Sequence, residues 1–186
     1  KGEAPDSPFG KYTGAGTIFG VSGGVAEAAV RTAYYYVTGE ELNDIDIKPL
    51  RGVTANTRTK DMIVDIKGKQ VKVRVVNTLK EAEKSIKEIK AGTADFQIME
   101  VMACPGGCIN GGGQPISCDD LKIKERRAEG LYKEDTELEF RKSHKNPDII
   151  KLYEECLGGK PGSHIAHELL HTTYSDKFTG SYKDIK

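Results

Sequence analysis

Two cysteines in a glycine-rich segment are the side chains of this chain best suited to holding a metal group. Cys104 and Cys108 stand four positions apart, and five glycines fall within residues 106–113. Two thiolates at this spacing can ligate one iron–sulfur cluster. Glycine has no Cβ, so the backbone can approach a bulky inorganic group and direct N–H donors at its sulfurs. A loop this permissive loses much entropy on folding, which favours a bound group over a plain pair of buried or redox-active thiols.

A second candidate metal motif lies near the carboxyl end. Residues 167–171, His-Glu-Leu-Leu-His, match H-E-x-x-H, in which two histidines one helical turn apart bind zinc and the glutamate activates water. No histidine follows His171 to act as a third ligand. Ala166, Leu169 and Leu170 also give the segment an ordinary packing stripe, so a zinc peptidase is the weaker alternative.

The remaining cysteines do not complete a recognisable ligand set. A structural zinc site of Cys104, Cys108 and Cys118 with one histidine is an alternative, but its spacing differs from common zinc knuckles. Cys118 and Cys156 lie in no ligand motif, and we interpret both as ordinary thiols.

Other charged groups are interpreted as structural or surface residues. His144 lies in the cationic segment 141–145, which disfavours metal binding, and we expect structural or surface roles for His144 and His164. The charged runs 80–90 and 122–127 are most simply solvated helix faces, with partner docking as the alternative.

The elements before the cysteines begin with a helix and a β-hairpin. Residues 25–37 are apolar nearly all round and Gly39 follows them, so we expect a buried helix. Alternating residues over 61–67 and 71–75, with a tight turn at Gly68-Lys69, predict a hairpin with one buried face.

A strand–helix–strand unit then leads into the cysteine segment. Residues 78–81, Thr-Leu-Lys-Glu, form a capping-box sequence for a helix that Gly92 ends. The mostly apolar strand 96–102 follows, and this order predicts a parallel crossover. We therefore predict an α/β lobe over residues 1–118, with the cysteine loop at the carboxyl end of a strand.

The chain after residue 118 is predicted to be helical. Residues 119–174 form an expected helical appendage and residues 175–186 a polar tail. The predicted helices begin at a charged segment, at an Asn-Pro-Asp start and at a serine, and they span residues 121–132, 146–157 and 163–173.

Composition restricts the classes of partner. The chain has 186 residues with 28 basic and 28 acidic side chains, so there is no electrostatic case for binding nucleic acid or an anionic membrane. No apolar stretch approaches the length of a transmembrane span. Four cysteines are too few and too clustered for a secreted disulfide framework, and we expect a cytoplasmic location.

Residues 102–115, Met-Ala-Cys-Pro-Gly-Gly-Cys-Ile-Asn-Gly-Gly-Gly-Gln-Pro, resemble the last cluster-binding motif of iron-only hydrogenases. The resemblance covers about residues 7–174. Further segments resemble other parts of that family in the same order along the chain, namely 19–29, 141–146 with 152–153, and 166–171. The appendage is similar to the small-subunit segment of periplasmic members.

The resemblance implies an active-site H-cluster and reversible reduction of protons to hydrogen, with electrons from ferredoxin or a related carrier. That cluster is a four-iron cubane joined to a two-iron subsite with carbonyl, cyanide and bridging dithiolate ligands. Cys104 would ligate the cubane, and Cys108 would ligate it and bridge to the two-iron subsite. Met102 would pack beside that subsite, a role that suits a polarizable thioether. Phe19 and Gly20 would lie just outside the ligands.

The chain departs from the family in what it lacks. The family's earlier Thr-Ser-Cys-Cys-Pro and Pro-Cys-x-x-Lys-Lys stretches, which supply two more ligands, are absent, as are its proton-delivering cysteine and acidic relay. We expect the chain to begin mid-protein. The cluster would then lie between this lobe and a missing amino-terminal lobe, and the chain alone would bind no complete centre and evolve no hydrogen.

Non-catalytic eukaryotic relatives in iron–sulfur protein assembly are the alternative within the superfamily. They share a similar Met-Ala-Cys-Pro-x-Gly-Cys motif. Residues 141–144, Arg-Lys-Ser-His, and Asn146-Pro147 favour a hydrogenase.

Overall fold

The computed structural model describes residue 3 and residues 10–51, 58–116 and 120–173. The chain forms two compact units, Lys1–Asn146 and Pro147–Lys186. The first contains a mixed sheet with helices, which confirms the predicted α/β class. The predicted boundary at residue 118 stays a prediction.

The sheet has three strands in the order β1-β2-β3 within the described residues. β1 (Thr59–Ile66) and β2 (Lys69–Asn77) form the predicted antiparallel hairpin, with Ile66 paired to Lys69. The turn is one residue earlier than expected, because Lys67 and Gly68 carry the positive φ values of 51° and 82°. Such a pair of left-handed residues matches the twist of the two strands.

The crossover to β3 (Ile98–Met102) confirms the predicted parallel pairing, in which Asn77 lies opposite Met102. The connection contains α3 (Leu79–Ala91), which ends at Gly92 as expected. The capping box is wrong. Thr78 has φ of 80° and its side chain caps nothing, while the Glu81 carboxylate accepts hydrogen bonds from Lys84 instead. The Thr78 hydroxyl is buried and has no hydrogen-bond partner among the described residues.

Within the described residues, two α-helices precede the sheet. The short α1 (Gly14–Thr17) continues through a 3-10 turn, Ile18–Gly20, toward α2 (Gly24–Thr38). The predicted burial of α2 holds only for its first half, since the side chains of Tyr36 and Val37 are exposed. That half packs in a core shared with the sheet, whose buried members are Ala26, Val30, Ile47, Leu50, Val73 and Val75.

Helix α4 (Leu121–Glu137) is five residues longer than predicted and belongs to the first unit. It packs against α1 and against the Ile18–Gly20 turn. The expectation that residues 122–127 form a solvated face is wrong at two positions, because Lys124 is buried and Arg127 is partly buried. The helix turns these two cations toward its packed side.

The second unit contains α5 (Pro147–Cys156) and α6 (His164–Leu170). The Ser163 side chain caps α6 by accepting a hydrogen bond from Ala166 N–H. This helix ends three residues before the predicted Thr173. The tail predicted over 175–186 lies outside the described residues. Among the described helices, none combines the length and apolarity needed to cross a bilayer.

A network of ion pairs, centred on the buried side chains of Glu27, Arg31 and Asp135, joins α4 to α2. Its members are three arginines and three carboxylates: Glu27, Arg31, Asp46, Arg51, Asp135 and Arg141. The positive and negative charges balance, as buried charges must to offset their desolvation.

Arg31 is the centre of this network, and its side chain has no solvent exposure. Its guanidinium donates to Glu27 Oε1 at 2.7 Å, to Asp135 Oδ1 at 2.9 Å and to the Ile45 carbonyl at 2.8 Å. Burial alone raises the pKa of Asp135, but hydrogen bonds from Arg31 and Arg141 hold that pKa below its ordinary value. The carboxylate of α4 is therefore held in its charged form.

Replacing Arg31 with methionine is expected to lower the free energy of unfolding by about 3–5 kcal/mol, because buried carboxylates lose a partner. Urea denaturation measures the change. The matched control is Lys87→Met, which removes an exposed pair with Glu83 and should leave the midpoint near that of wild type. Equal midpoints for both variants would contradict the role given to the network.

Candidate metal-cluster site

The cysteine segment begins directly after β3, at the carboxyl end of the parallel strand pair. Cys104 is half-buried and Cys108 is exposed at the start of a 3-10 turn, Cys108–Asn110. Both are free thiols. This is the edge of an open α/β sheet at which ligands generally bind.

Two neighbouring segments hold the backbone of this loop at Gly106. The Ser22 N–H donates to the Gly106 carbonyl at 3.0 Å, and the Gly106 N–H donates to Asn77 Oδ1 at 3.2 Å. The next residue, Gly107, has φ of 91°, and a Cβ there would lie 2.7 Å from Ser22 N and 2.8 Å from the Gly20 carbonyl oxygen. Only glycine permits this close approach of the two loops.

The Glu100 carboxylate fixes the start of α2 against the sheet. Its two oxygens accept hydrogen bonds from the Gly23 and Ala26 N–H groups, each at 2.7 Å. Burial raises the pKa of Glu100 above its ordinary value, although the N–H groups that bond the carboxylate act in the opposite direction. An acid in the middle of β3 thus satisfies the free donors of a helix start and positions the segment containing Ser22.

A cavity of about 410 Å³ opens beside Cys108. Its volume is within the range of small-ligand sites, roughly 300–1,000 Å³. The lining residues come from the end of α1, from the segments of Gly20 and Cys108 and from α4, namely Thr17, Gly20, Cys108, Ile109, Gln114, Arg127 and Leu131. A Cβ at Gly20 would lie 2.8 Å from Leu131 Cδ1, so the absence of a side chain there admits the helix.

The donors and the space at this loop fit an iron–sulfur cluster. Thiolates are the usual cluster ligands, and two are half of the four that a cubane uses. A Cβ at Gly111 would lie 3.6 Å from Cys104 Sγ, whereas Cβ atoms at Gly112 and Gly113 would meet nothing within 4 Å. Among the described residues, no three His, Cys, Asp or Glu side chains are grouped as a metal site. Cys104 and Cys108 are therefore the candidate ligands that this loop offers among the described residues.

Some of the predicted site residues line the same cavity, and others do not belong to its lining within the described part of the chain. Gly20 and Cys108 line one cavity. Met102 is half-buried at the end of β3, where its carbonyl accepts the Thr78 N–H at 2.7 Å, and Phe19 is 46% exposed. Neither belongs to the cavity lining within the described part of the chain. Their assigned roles remain predictions.

His144 has the structural role expected for it. Its side chain is buried and stacks on Tyr35 with ring centroids 4.5 Å apart. Nδ1 lies 3.2 Å from Thr32 Oγ1, and Nε2 lies 3.4 Å from a Glu41 oxygen. Burial lowers the pKa of His144. Because its ring is buried and stacked on Tyr35, His144 is a packing group of the first unit.

The described residues give little support to the two alternative zinc sites. The His167 and His171 rings are 4.2 Å apart and exposed, but His171 lies just beyond the end of α6. Cys156 is an exposed free thiol, and Cys118 lies outside the described residues.

Sequence reasoning missed three residues that position the loop: Asn77, Glu100 and Arg127. Glu100 had a visible signal, because it is an acid within an otherwise mostly apolar strand. Asn77 and Arg127 had no such signal, because an asparagine at a strand end and an arginine in a charged helix are common in sequences. Their contacts with the loop exist only in the folded structure.

The chain is similar to iron-only hydrogenases along most of its length. The family profile described as "Iron only hydrogenase large subunit, C-terminal domain" matches residues 1–112, and "Iron hydrogenase small subunit" matches residues 121–177. NADP-reducing hydrogenase subunit HndD from Solidesulfovibrio fructosivorans is 47% identical over 91% of this chain and 28% of its own length. Iron hydrogenase 1 from Clostridium pasteurianum is 42% identical over 91% of this chain and 29% of its own length. The chain thus spans less than a third of these relatives.

A solved structure and a relative of lower identity also match most of the chain. A variant of FeFe-hydrogenase HydA1 from Chlamydomonas reinhardtii is 37% identical with a TM-score of 0.63, covering 91% of this chain and 48% of that one. Protein NAR1 from Arabidopsis thaliana is 33% identical over 92% of this chain and 37% of its own length.

Replacing Gly107 with alanine is expected to lower the free energy of unfolding by about 1–3 kcal/mol or more, because φ is positive and the new Cβ would overlap Ser22 N. The matched control is Gly112→Ala in the same loop, where a Cβ meets nothing within 4 Å. Chemical denaturation of both variants measures the difference. A Gly107 variant as stable as the Gly112 variant would show that the two loops do not need this contact.

Proposed function

Because the chain belongs to the iron-only hydrogenase family, we propose that it is the carboxyl-terminal lobe of a hydrogenase catalytic subunit. The whole enzyme would catalyse reversible reduction of protons to hydrogen with ferredoxin-type electron carriers. The observation that supports this best is the pair of free thiols, Cys104 and Cys108, on a glycine-rich loop after β3. The loop has the donors and the open space that a cluster needs.

Each predicted site residue has a physical role in this proposal. Cys104 would hold the cubane, and Cys108 would hold it and bridge to the two-iron subsite. Met102, Phe19 and Gly20 would form apolar and close-packed surroundings that limit water. When bound, the cluster supplies the redox and bond-breaking chemistry, while the polypeptide binds, orients and shields it.

The partners follow from the missing ligands. Two more cysteines would come from an amino-terminal lobe of the same enzyme, and electrons would arrive from a ferredoxin or similar carrier. The pattern of cysteine usage supports a cytoplasmic location. Balanced charge gives no reason to invoke nucleic acid or a membrane surface.

A second candidate is a non-catalytic role in iron–sulfur protein assembly. Similarity to NAR1 over most of the chain supports it, although the identity to the hydrogenases is higher. Infrared spectroscopy of the full-length protein separates the two candidates. Carbonyl and cyanide bands support the hydrogenase, whereas iron–sulfur absorption without those bands supports the assembly protein.

Replacing Cys108 with alanine in the full-length protein should abolish hydrogen evolution, because the link between the two iron units is removed. The infrared bands should disappear with the activity. Cys156→Ala is the matched control, since that thiol is exposed on α5 outside the predicted ligand motif. Retained turnover in the Cys108 variant would mean that the ligand assignment is wrong.

The purified 186-residue chain is expected to bind no complete active centre and to evolve no hydrogen, since half of the cubane ligands are missing from it. Iron analysis and a hydrogen-evolution assay check this. Full activity of the chain by itself would refute the division of ligands between two lobes.

A further inference from the structure

We propose that Arg127 positions the cluster-binding loop and that its charge raises the reduction potential of the cubane held there. The inference rests on the proposed function for its second half, because a potential requires a bound cluster. Its first half concerns the polypeptide alone.

The side chain of Arg127 holds the loop at two points. Nη1 donates to the Ile109 carbonyl oxygen at 2.8 Å, and Nη2 donates to the Pro115 carbonyl oxygen at 2.7 Å. The first carbonyl belongs to the residue directly after Cys108, and the second closes the glycine run. A planar guanidinium presents its donors in a fixed fork, so one side chain can fix the separation of both carbonyls.

Short-range hydrogen bonds also support the loop near these two points, among them those from Asn110 Nδ2 to the Pro105 carbonyl oxygen and from the Asn110 N–H to the Gly107 carbonyl oxygen, each at 3.1 Å. The Gly111 N–H bonds back to the Cys108 carbonyl at 3.1 Å, and the Gln114 N–H bonds to the Gly111 carbonyl at 3.3 Å. Gly112 and Gly113 offer no side chains to pack. Ordering such residues costs backbone entropy, so a restraint from another element favours one position of the loop.

The packing of α4 against the neighbouring loops positions Arg127. The next residue, Ala128, is buried in a cluster with Val21 and Ile109. Leu131, one turn further on, lies against Gly20. The same helix face therefore contacts the loop of Gly20 and the loop of Cys108, and Arg127 extends from it toward the loop carbonyls.

The charge of Arg127 is located where it can act on a cluster. Arg127 and Cys108 line the same cavity, and a guanidinium stays protonated at any accessible pH. A cluster becomes more negative on reduction, so a nearby fixed cation stabilises the reduced form more than the oxidised form. Partial exposure of Arg127 screens part of this effect.

Two variants of the full-length protein separate position from charge. Arg127→Gln removes the charge and one of the two contacts, whereas Arg127→Lys keeps the charge but cannot span both carbonyls. The control is Arg126→Gln, which removes an exposed arginine from the same helix. Hydrogen exchange of residues 104–116 in iron-free protein reports loop position, and a redox titration followed by electron paramagnetic resonance reports the cubane potential.

Loop amides in both Arg127 variants should exchange several-fold faster than in the control. The cubane potential should become more negative in Arg127→Gln and stay near that of wild type in Arg127→Lys. Exchange and potential in Arg127→Gln equal to those of the control would overturn the proposal.

Circular dichroism first verifies that each variant folds. If Arg127→Gln does not fold, Arg127→Lys decides, since loop exchange faster than the control supports the proposal and equal exchange overturns it. If the wild-type protein gave no iron signal, the proposed function would be wrong. Faster loop exchange in its iron-free Arg127 variants would still support the positioning role.

Discussion

The position of the two cysteines depends on hydrogen bonds that other elements make to the backbone of a loop with few side chains. Packing alone gives such a loop limited restraint, because its glycines offer no side chains and few limits on φ, although Ile109 is buried against Val21 and Ala128. Its carbonyl and N–H groups are instead bonded by Ser22, Asn77 and Arg127, which belong to three separate parts of the first unit. The position of Cys104 and Cys108 is thus set by elements that contain neither cysteine.

Buried charge connects those elements to one another. Glu100 joins β3 to the start of α2, and the network around Arg31 joins α2 to α4. The Glu100 and Asp135 carboxylates accept hydrogen bonds from donors of a different element, so separating the elements would leave each of these carboxylates without those partners. This explains why α4, which falls in the part of the chain matched by the small-subunit profile, packs as a member of the first unit.

The errors of the sequence predictions have a common cause. Periodicity located α2, α3 and α4 correctly but assigned their faces poorly. Lys124 and Arg127 stand in a charged run that resembles a solvated face, yet both turn inward. Thr78 and Glu81 have the spacing of a capping box. In the structure the Thr78 N–H donates to the Met102 carbonyl at the end of the parallel strand pair, and the Thr78 side chain does not cap α3. In each case a tertiary contact outweighed a local preference of similar or smaller energy.

By itself, the sequence determined the class of fold, the order of elements and the two thiols with their glycine surroundings. These depend on local patterns, namely alternation, helical spacing and the residue types that a metal requires. Tertiary structure alone decided which distant residues hold the cysteine loop, because Ser22, Asn77 and Arg127 bond it only after the sheet, α2 and α4 have packed. The identity of a ligand is encoded locally, whereas its position is a property of the assembled fold, in which contacts form between residues that are far apart along the chain.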